Sequence, residues 1–220
     1  MKEIKGFIFD LDGVIVDTAK YHFIAWQAVA RELGIDFTEE DNEALKGVSR
    51  KKAFDLLLSF GGLTLTEDEK EPFLERKNRH YLALVDQMGT GEILPGVLPF
   101  LEVLQRKNYK TALGSASKNA RRVLDRLNLT PFFQVIIDGN RVKKAKPDPE
   151  VFLLGAGELG LPPENCLVFE DARAGIAAAK AAGMIAVGIG KRDQLSQADL
   201  VIPGFYQESP EALLQRLLRL

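Results

Sequence analysis

The sequence FIFDLDGVIV, residues 7–16, combines an apolar run with two acidic residues. Its apolar run predicts a buried strand, yet Asp10 and Asp12 stand two positions apart at its end. A carboxylate buried without a partner costs several kcal/mol. Residues i and i+2 of a strand point to the same side, so both carboxyl groups leave in one direction. A strand that merely ends in polar residues is the plain alternative, but the pairing favours a functional site.

Length and composition narrow the class of protein. The 220 residues suit one large domain or one domain with an insertion, and 46% hydrophobic with 27% charged residues is ordinary for a globular protein. The formal net charge of -2 gives no sign of a surface for nucleic acid or for an anionic membrane. A phosphorylated substrate would therefore be held by a few local cations.

The N-terminus and the single cysteine bear on the compartment. The first apolar stretch is short and interrupted by Asp10, unlike a signal peptide or a membrane span. Cys166 is the only cysteine, so no intrachain disulfide is possible, and its strand-like surroundings indicate a core residue. We expect a cytoplasmic monomer with no membrane or nucleic-acid partner.

Short apolar segments alternate with amphipathic ones along most of the chain. Strands are predicted at 4–9, 109–115, 133–138, 166–171 and 184–190, with a short edge strand at 198–202. Helices are predicted at 97–107, 118–128, 149–159, 173–182 and 209–219. Such alternation is typical of an α/β fold with a doubly wound parallel sheet.

Residues 17–90 break this alternation, because they show helical periodicity and almost no strand. The segment is long for a crossover connection. We therefore predict a helical domain at 17–90, inserted after the first strand into an α/β domain formed by 1–16 and 91–220.

Residues suited to phosphate chemistry follow several predicted strands, where an open parallel sheet binds its ligands. Ser115 stands just before a helix, Lys146 lies in a proline-bounded loop, and Glu170 and Asp171 end another strand. Each has a plain alternative, since Ser115 alone could be a helix N-cap and Lys146 a solvated lysine. Asp10, Asp12 and Asp171 together suit a hard cation, and Mg²⁺ is the hard cation that commonly binds phosphate groups in proteins.

These four parts in this order resemble the signature of the haloacid dehalogenase (HAD) superfamily of phosphotransferases, and the resemblance spans nearly the whole chain. It implies that the insertion at 17–90 is the helical cap domain and that 1–16 and 91–220 form the catalytic core. The segments FDLDGVIVDTAKYHFIAW, LKGVSR, ERKNRHY, LPG, SASKN and AKP resemble the β-phosphoglucomutase-like subfamily. The chain departs from that pattern at Ala172-Arg173, where the subfamily has Ser-Gln, and at Asp148, where it has Ala.

The resemblance implies a role for each part of the site. Asp10 would be the nucleophile and Asp12 the general acid and base, with its backbone carbonyl facing the metal. The implied catalytic residues are Asp10, Asp12, Thr18, His22, Ser115 and Lys146. The implied Mg²⁺ site consists of Asp10, Asp12, Glu170 and Asp171. The implied substrate-binding residues are Trp26, Gly47, Val48, Arg50, Lys77, Ala116, Ser117, Lys118 and Asn119.

The resemblance further implies a β-phosphoglucomutase that interconverts β-glucose 1-phosphate and glucose 6-phosphate through a hexose bisphosphate. A Mg²⁺-dependent sugar-phosphate phosphatase could use the same aspartates, but it would have no need for Arg50 to hold a second phosphate. A phosphonatase is disfavoured because no cap lysine is placed to form an imine. A binding protein without turnover is disfavoured because every core catalytic position is present.

Overall fold

The computed structural model describes residues 3–219, and a six-stranded, all-parallel sheet lies at its centre. The sheet order is β3-β2-β1-β4-β5-β6. The strands are β1 (Gly6–Phe9), β2 (Lys110–Gly114), β3 (Val135–Ile137), β4 (Cys166–Glu170), β5 (Ile185–Ile189) and β6 (Leu200–Ile202). The predicted α/β fold with a parallel sheet is confirmed.

β1 occupies the middle of the sheet because every one of its side chains can be buried. Phe7 and Phe9 pack into the hydrophobic cluster on one face, and Ile8 packs into the cluster on the other. This alternation is what a pleated strand requires when both faces are covered. The central position sends the chain beyond Phe9 out at the carboxyl edge, between β2 and β4.

Four helices follow β1 before the chain returns to the sheet, and no strand lies between residues 17 and 90. They are α1 (Ala19–Glu32), α2 (Glu39–Glu43), α3 (Arg50–Phe60) and α4 (Glu67–Val85). Thr38 and Thr66 form capping boxes that start α2 and α4, and Ser49 caps α3. Trp26 and Phe54 stack in a hydrophobic cluster that residues 26–74 form by themselves.

The two connections to this insertion run side by side. Val16 and Ile93 form an antiparallel bridge. The Asp17 amide donates to Glu92 O at 2.8 Å, and the Leu94 amide donates to Ile15 O at 3.0 Å. The chain therefore leaves and re-enters the sheet region through one hydrogen-bonded pair of segments.

Five further helices cover the sheet on both sides. They are α5 (Val97–Arg106), α6 (Ala120–Arg126), α7 (Glu150–Glu158), α8 (Arg173–Ala181) and α9 (Pro210–Leu217). Apolar residues of α5, α6 and α9 belong to the cluster that holds Phe7 and Phe9, whereas those of α7 and α8 join Ile8. The sheet is therefore doubly wound, as predicted. No helix within residues 3–219 has the length and apolar character that a membrane span needs.

Candidate active site

Asp10 lies at the carboxyl end of β1 and is tied to a buried lysine. Lys146 Nζ donates to Asp10 Oδ1 at 2.6 Å and to Glu170 Oε1 at 2.7 Å. All three residues are buried. Burial opposes the charge on Lys146, but the two carboxylates outweigh it and raise its pKa. Lys146 is therefore a fixed cation beside Asp10.

Asp10, Glu170 and Asp171 form a compact acidic group. Their carboxylate oxygens can be chosen so that all lie within 4.8 Å of one another. Burial raises the pKa of Asp10 to about 6, and the charge of Glu170 adds to the effect although Lys146 opposes it. Burial, with Glu170 and Asp10 next, also raises the pKa of Asp171 well above its ordinary range. Hard, crowded oxygen donors whose negative charge is disfavoured are a fitting ligand set for a divalent cation such as Mg²⁺.

Asp12 faces a different environment, although it stands only two residues away. The Thr18 hydroxyl donates to Asp12 Oδ1, and His22 Nε2 lies 3.8 Å from the same oxygen. Burial, followed by the charge of Asp10, raises the pKa of Asp12 to about 6. A carboxyl group that titrates near neutral pH can both donate and accept a proton during turnover.

His22 and Lys77 form a second layer around Asp12. Lys77 Nζ lies 2.8 Å from His22 Nδ1, and it sits over the rings of Trp26 and Tyr81 at 4.9 and 4.8 Å. Burial lowers the pKa of His22 well below its usual range, with Lys77 next in effect. The ring is therefore neutral. Because Nδ1 accepts from Lys77, the ring proton belongs on Nε2, which faces Asp12.

A cavity of about 410 Å³ lies between the carboxyl edge of the sheet and the helical insertion. Most of the predicted site residues line it: Asp10, Asp12, His22, Trp26, Gly47, Val48, Arg50, Lys77, Ala116, Ser117, Lys118, Asn119, Lys146 and Asp171. Thr18, Ser115 and Glu170 are fully buried next to these residues. Ser115 Oγ accepts a hydrogen bond from the Ser117 amide at 3.1 Å and so fixes the loop that follows β2.

Arg50 is the first residue of α3 and is half-buried at the cavity. Its guanidinium donates no hydrogen bond to any group within residues 3–219. Burial lowers its pKa, and Glu71 acts in the opposite direction. A guanidinium that lines a cavity without a protein acceptor is available to a ligand.

Two site residues were missed by the sequence analysis. Lys46 lines the cavity, and its Nζ lies 3.8 Å from Asp171 Oδ2. It belongs to the motif LKGVSR, so its place beside Gly47 was the available signal. Tyr81 is buried, with its ring centroid 4.2 Å from that of His22. The helical spacing of Lys77 and Tyr81 puts them on one face, but it does not reveal that His22 packs there.

Comparison with known proteins identifies the family of this chain. A model of the haloacid dehalogenase-like hydrolases matches residues 4–183. The chain belongs to the HAD family. The resemblance inferred from the four-part signature is confirmed, as is the expectation that the chain is an enzyme.

The HAD relatives include proteins with different activities. The chain is 44% identical to a β-phosphoglucomutase of Bacillus subtilis over 201 residues, which cover 90% of this chain and 89% of that protein. It is 34% identical to a phosphorylated carbohydrates phosphatase of Thermotoga maritima, with 82% of each protein covered. The crystal structure of a β-phosphoglucomutase from Clostridium difficile superposes with a TM-score of 0.94 at 42% identity, with 98% of each chain covered.

Proposed function

We propose that this HAD enzyme is a β-phosphoglucomutase, converting β-glucose 1-phosphate into glucose 6-phosphate through β-glucose 1,6-bisphosphate. Its substrates are small hexose phosphates. The observation that carries the proposal is Arg50, a cavity-lining guanidinium without an acceptor in the described chain. An intermediate with two phosphates needs one cation site for the phosphate that reacts and another for the phosphate that does not. The 44% identical relative supports this choice of substrate.

In the first half-reaction Asp10 is the nucleophile. A carboxylate oxygen of Asp10 forms a bond to the phosphorus at C1 of the bisphosphate as the bond from that phosphorus to the sugar oxygen breaks, and glucose 6-phosphate is the product. Asp12 protonates the departing sugar oxygen. Lys146, which is hydrogen-bonded to Asp10 Oδ1, neutralises charge on the transferring phosphoryl group. The Ser115 hydroxyl and the Ala116 amide help to stabilise the oxygens of that phosphoryl group.

In the second half-reaction Asp12 acts as the base. It removes the proton from the 6-hydroxyl of β-glucose 1-phosphate, whose oxygen then attacks the phosphorus of the aspartyl phosphate, regenerates the bisphosphate and releases Asp10. The Thr18 hydroxyl holds the Asp12 carboxyl group in place for both steps, and His22 Nε2 lies 3.8 Å from the same carboxylate oxygen. Mg²⁺ bound by Asp10, Glu170, Asp171 and the Asp12 carbonyl would supply charge stabilisation to the transferring phosphoryl group.

The sugar and its second phosphate are held mainly from the cap side. Arg50, with Ser117, Lys118 and Asn119 from the core side, binds the phosphate that does not react. Gly47, Val48, Trp26 and Lys77 border the sugar. Residues 17–90 act as the cap domain in this proposal, which the separate hydrophobic cluster of residues 26–74 supports.

A sugar-phosphate phosphatase is the second candidate. It would use the same Asp10 and Asp12 with water as the acceptor, and the 34% identical phosphatase supports it. The two candidates differ in what accepts the phosphoryl group from Asp10.

A phosphorus NMR time course separates the candidates. The sample contains β-glucose 1-phosphate, Mg²⁺ and a trace of the bisphosphate. A mutase accumulates glucose 6-phosphate, whereas inorganic phosphate as the main product overturns the proposal in favour of the phosphatase. Asp10→Asn is the control, because an amide cannot become an acyl phosphate and neither product should form.

A further inference from the structure

A pair of amide side chains joins the insertion to the loop that follows β2. Asn119 Nδ2 donates to Asn78 Oδ1 at 2.8 Å. Asn119 lines the cavity, and its backbone amide donates to Ser117 Oγ at 3.2 Å. Asn78 lies on α4, next to the buried Lys77. The contact therefore links the wall that holds Lys77 to the loop assigned above to the non-reacting phosphate.

The chemistry of an amide makes this contact directional. The NH₂ group of Asn119 carries two hydrogens, whereas its carbonyl oxygen can only accept. Asn78 Oδ1 takes one hydrogen and leaves the second for an anion. If the amide turned over, the Asn119 oxygen would face the acceptor oxygen of Asn78, and a phosphate could meet the wrong end of the group. With its carbonyl oxygen toward Asn119, as in this structure, Asn78 favours one orientation of the Asn119 amide.

We propose that Asn78 is a positioning residue that orients the Asn119 amide to donate to the non-reacting phosphate of the bisphosphate. This inference rests on the proposed function, since only a ligand with two phosphates needs that donor. Consecutive residues of an α-helix point about 100° apart. Lys77 can thus reach His22 while Asn78 reaches Asn119. The position of α4 therefore determines both the surroundings of Asp12 and the contact with the loop that follows β2.

A second contact, between the end of α4 and helix α6, supplies the matched control. Arg122 on α6 donates to both oxygens of Asp86, which follows α4, at distances of 2.7 to 3.0 Å. Both side chains are about half-exposed. Arg122→Ala therefore breaks a contact between α4 and α6 while it leaves the amide pair intact.

The test measures binding of β-glucose 1,6-bisphosphate by calorimetry to the full-length Asp10→Asn protein, which cannot transfer the phosphoryl group. Asn78→Ala should weaken binding about 3- to 10-fold, the usual effect of one neutral hydrogen bond. Asn78→Ser, whose side chain is too short to reach Asn119, should do the same, and Arg122→Ala should change binding less than twofold. In an Asn119→Ala background, Asn78→Ala should have no further effect, because the two residues act as one unit.

The inference is overturned if Asn78→Ala and Asn78→Ser leave the affinity unchanged, if the loss is the same without Asn119, or if Arg122→Ala causes an equal loss. A different result identifies failure of the proposed function. If the Asp10→Asn protein binds the bisphosphate no more tightly than glucose 6-phosphate, no second phosphate site exists and both proposals fall.

Discussion

At the scale of single residues, the two aspartates of the DLD sequence receive opposite surroundings. Lys146 fixes Asp10 among buried carboxylates, whereas Asp12 turns toward the Thr18 hydroxyl and the neutral His22. The pKa of both groups rises to about 6, but only the side chain of Asp10 lies in the acidic group that can hold a metal ion. The surroundings support a nucleophile and a general acid that stand two positions apart in the chain.

Arg50 separates the two candidate functions. Arg50→Ala should lower mutase flux roughly 30- to 1,000-fold, because a lost bidentate contact removes about 2–4 kcal/mol of transition-state binding. Formation of the aspartyl phosphate from acetyl phosphate, which has no second phosphate, should change much less. Both rates are measured by quenched flow with Mg²⁺ present. Lys52→Ala, which removes an exposed cation from the same helix, is the control. Equal slowing of both reactions, or of neither, would contradict this role.

Gly175 permits the position of the Glu170 carboxylate. A Cβ atom at residue 175 would lie 1.7 Å from Glu170 Oε1, so Gly175→Ala must displace a carboxylate that Lys146 and the Ala172 amide hold. We expect turnover and Mg²⁺ affinity to fall roughly 10- to 100-fold, as for other groups that orient metal ligands. The affinity is measured by titration of the protein with Mg²⁺.

Gly157→Ala provides the comparison for that substitution. Gly157 lies in α7, on the same face of the sheet, and nothing lies within 4 Å of a Cβ at that position. It should leave turnover unchanged and stabilise the helix by up to about 1 kcal/mol. If Gly175→Ala behaves like Gly157→Ala, Glu170 has room to move and its position is not critical.

The site residues that the sequence did not reveal share a physical reason. Lys46, Tyr81 and the proposed positioning residue Asn78 contact residues far away in the chain, namely Asp171, His22 and Asn119. Local spacing predicts which side chains share a helix face, but it does not predict where an inserted segment contacts the sheet. Asp10 and Asp12 could be predicted because they follow β1, and Lys146 because it precedes α7. In a parallel sheet these positions all lie at the carboxyl edge.

At the scale of elements, the structure shortens several of the predicted strands, and the edge strand β3 most. The sequence predicted strands at 133–138 and 198–202, which form the two edges of the sheet, but β3 and β6 are each three residues long. An edge strand has one hydrogen-bonding partner, so its apolar run extends beyond the paired residues. For β4, which is paired on both sides, the prediction of 166–171 differs by a single residue.

The loop between α2 and α3 brings the insertion onto the sheet edge. Gly47 has a φ of +70°, and a Cβ at this position would lie 2.8 Å from the Ala172 Cβ. The same loop contains Lys46, whose Nζ approaches Asp171, and it ends at the Ser49 cap that starts α3 at Arg50. The local backbone of one loop thus sets the positions of two cations in the cavity.

Gly47→Ala should therefore disturb the contact between the insertion and the core. We expect kcat/KM to fall about tenfold or more, since the new methyl group clashes with Ala172 as well as straining the backbone. Gly34→Ala is the control, because Gly34 has the same φ of +70° and nothing within 4 Å of a Cβ. Ala172→Gly in the Gly47→Ala background should recover much of the activity. Without that recovery, backbone strain alone explains the loss.

At the scale of the whole molecule, the cavity gathers charge that the chain as a whole does not have. The net charge is only -2, yet buried carboxylates from β1 and the segment after β4 meet lysines from the insertion and from the loop before α7. Folding must therefore bring together carboxylates and lysines whose charged forms are more stable in water. The free energy of unfolding should depend on pH and on a divalent cation through this one site.

The direction of the pH effect follows from the raised pKa values. Asp10 and Asp12 have a folded pKa of about 6 against 3.8 for the free side chain, so the folded protein binds protons between these values that the unfolded chain releases. The resulting stabilisation is complete below about pH 4 and is lost as the pH rises through 6. Burial lowers the pKa of Lys77 to about 7 and that of His22 well below its usual range, so these two groups oppose the effect as the pH falls. The raised pKa of Asp171 adds to those of Asp10 and Asp12 and keeps the net direction.

Without metal, the melting temperature should therefore rise when the pH falls from about 7.5 to about 5.5. Saturating Mg²⁺ should raise the melting temperature at pH 7.5, because it binds the ionised carboxylates of the folded state only. At pH 5.5 the increase should be smaller, since protons and Mg²⁺ compete for the same oxygens. Asp171→Asn should weaken the response to Mg²⁺ at both pH values. Differential scanning calorimetry with and without a chelator measures these shifts, and a Mg²⁺ effect that is absent, or equal at the two pH values, would show that these carboxylates are not the metal ligands.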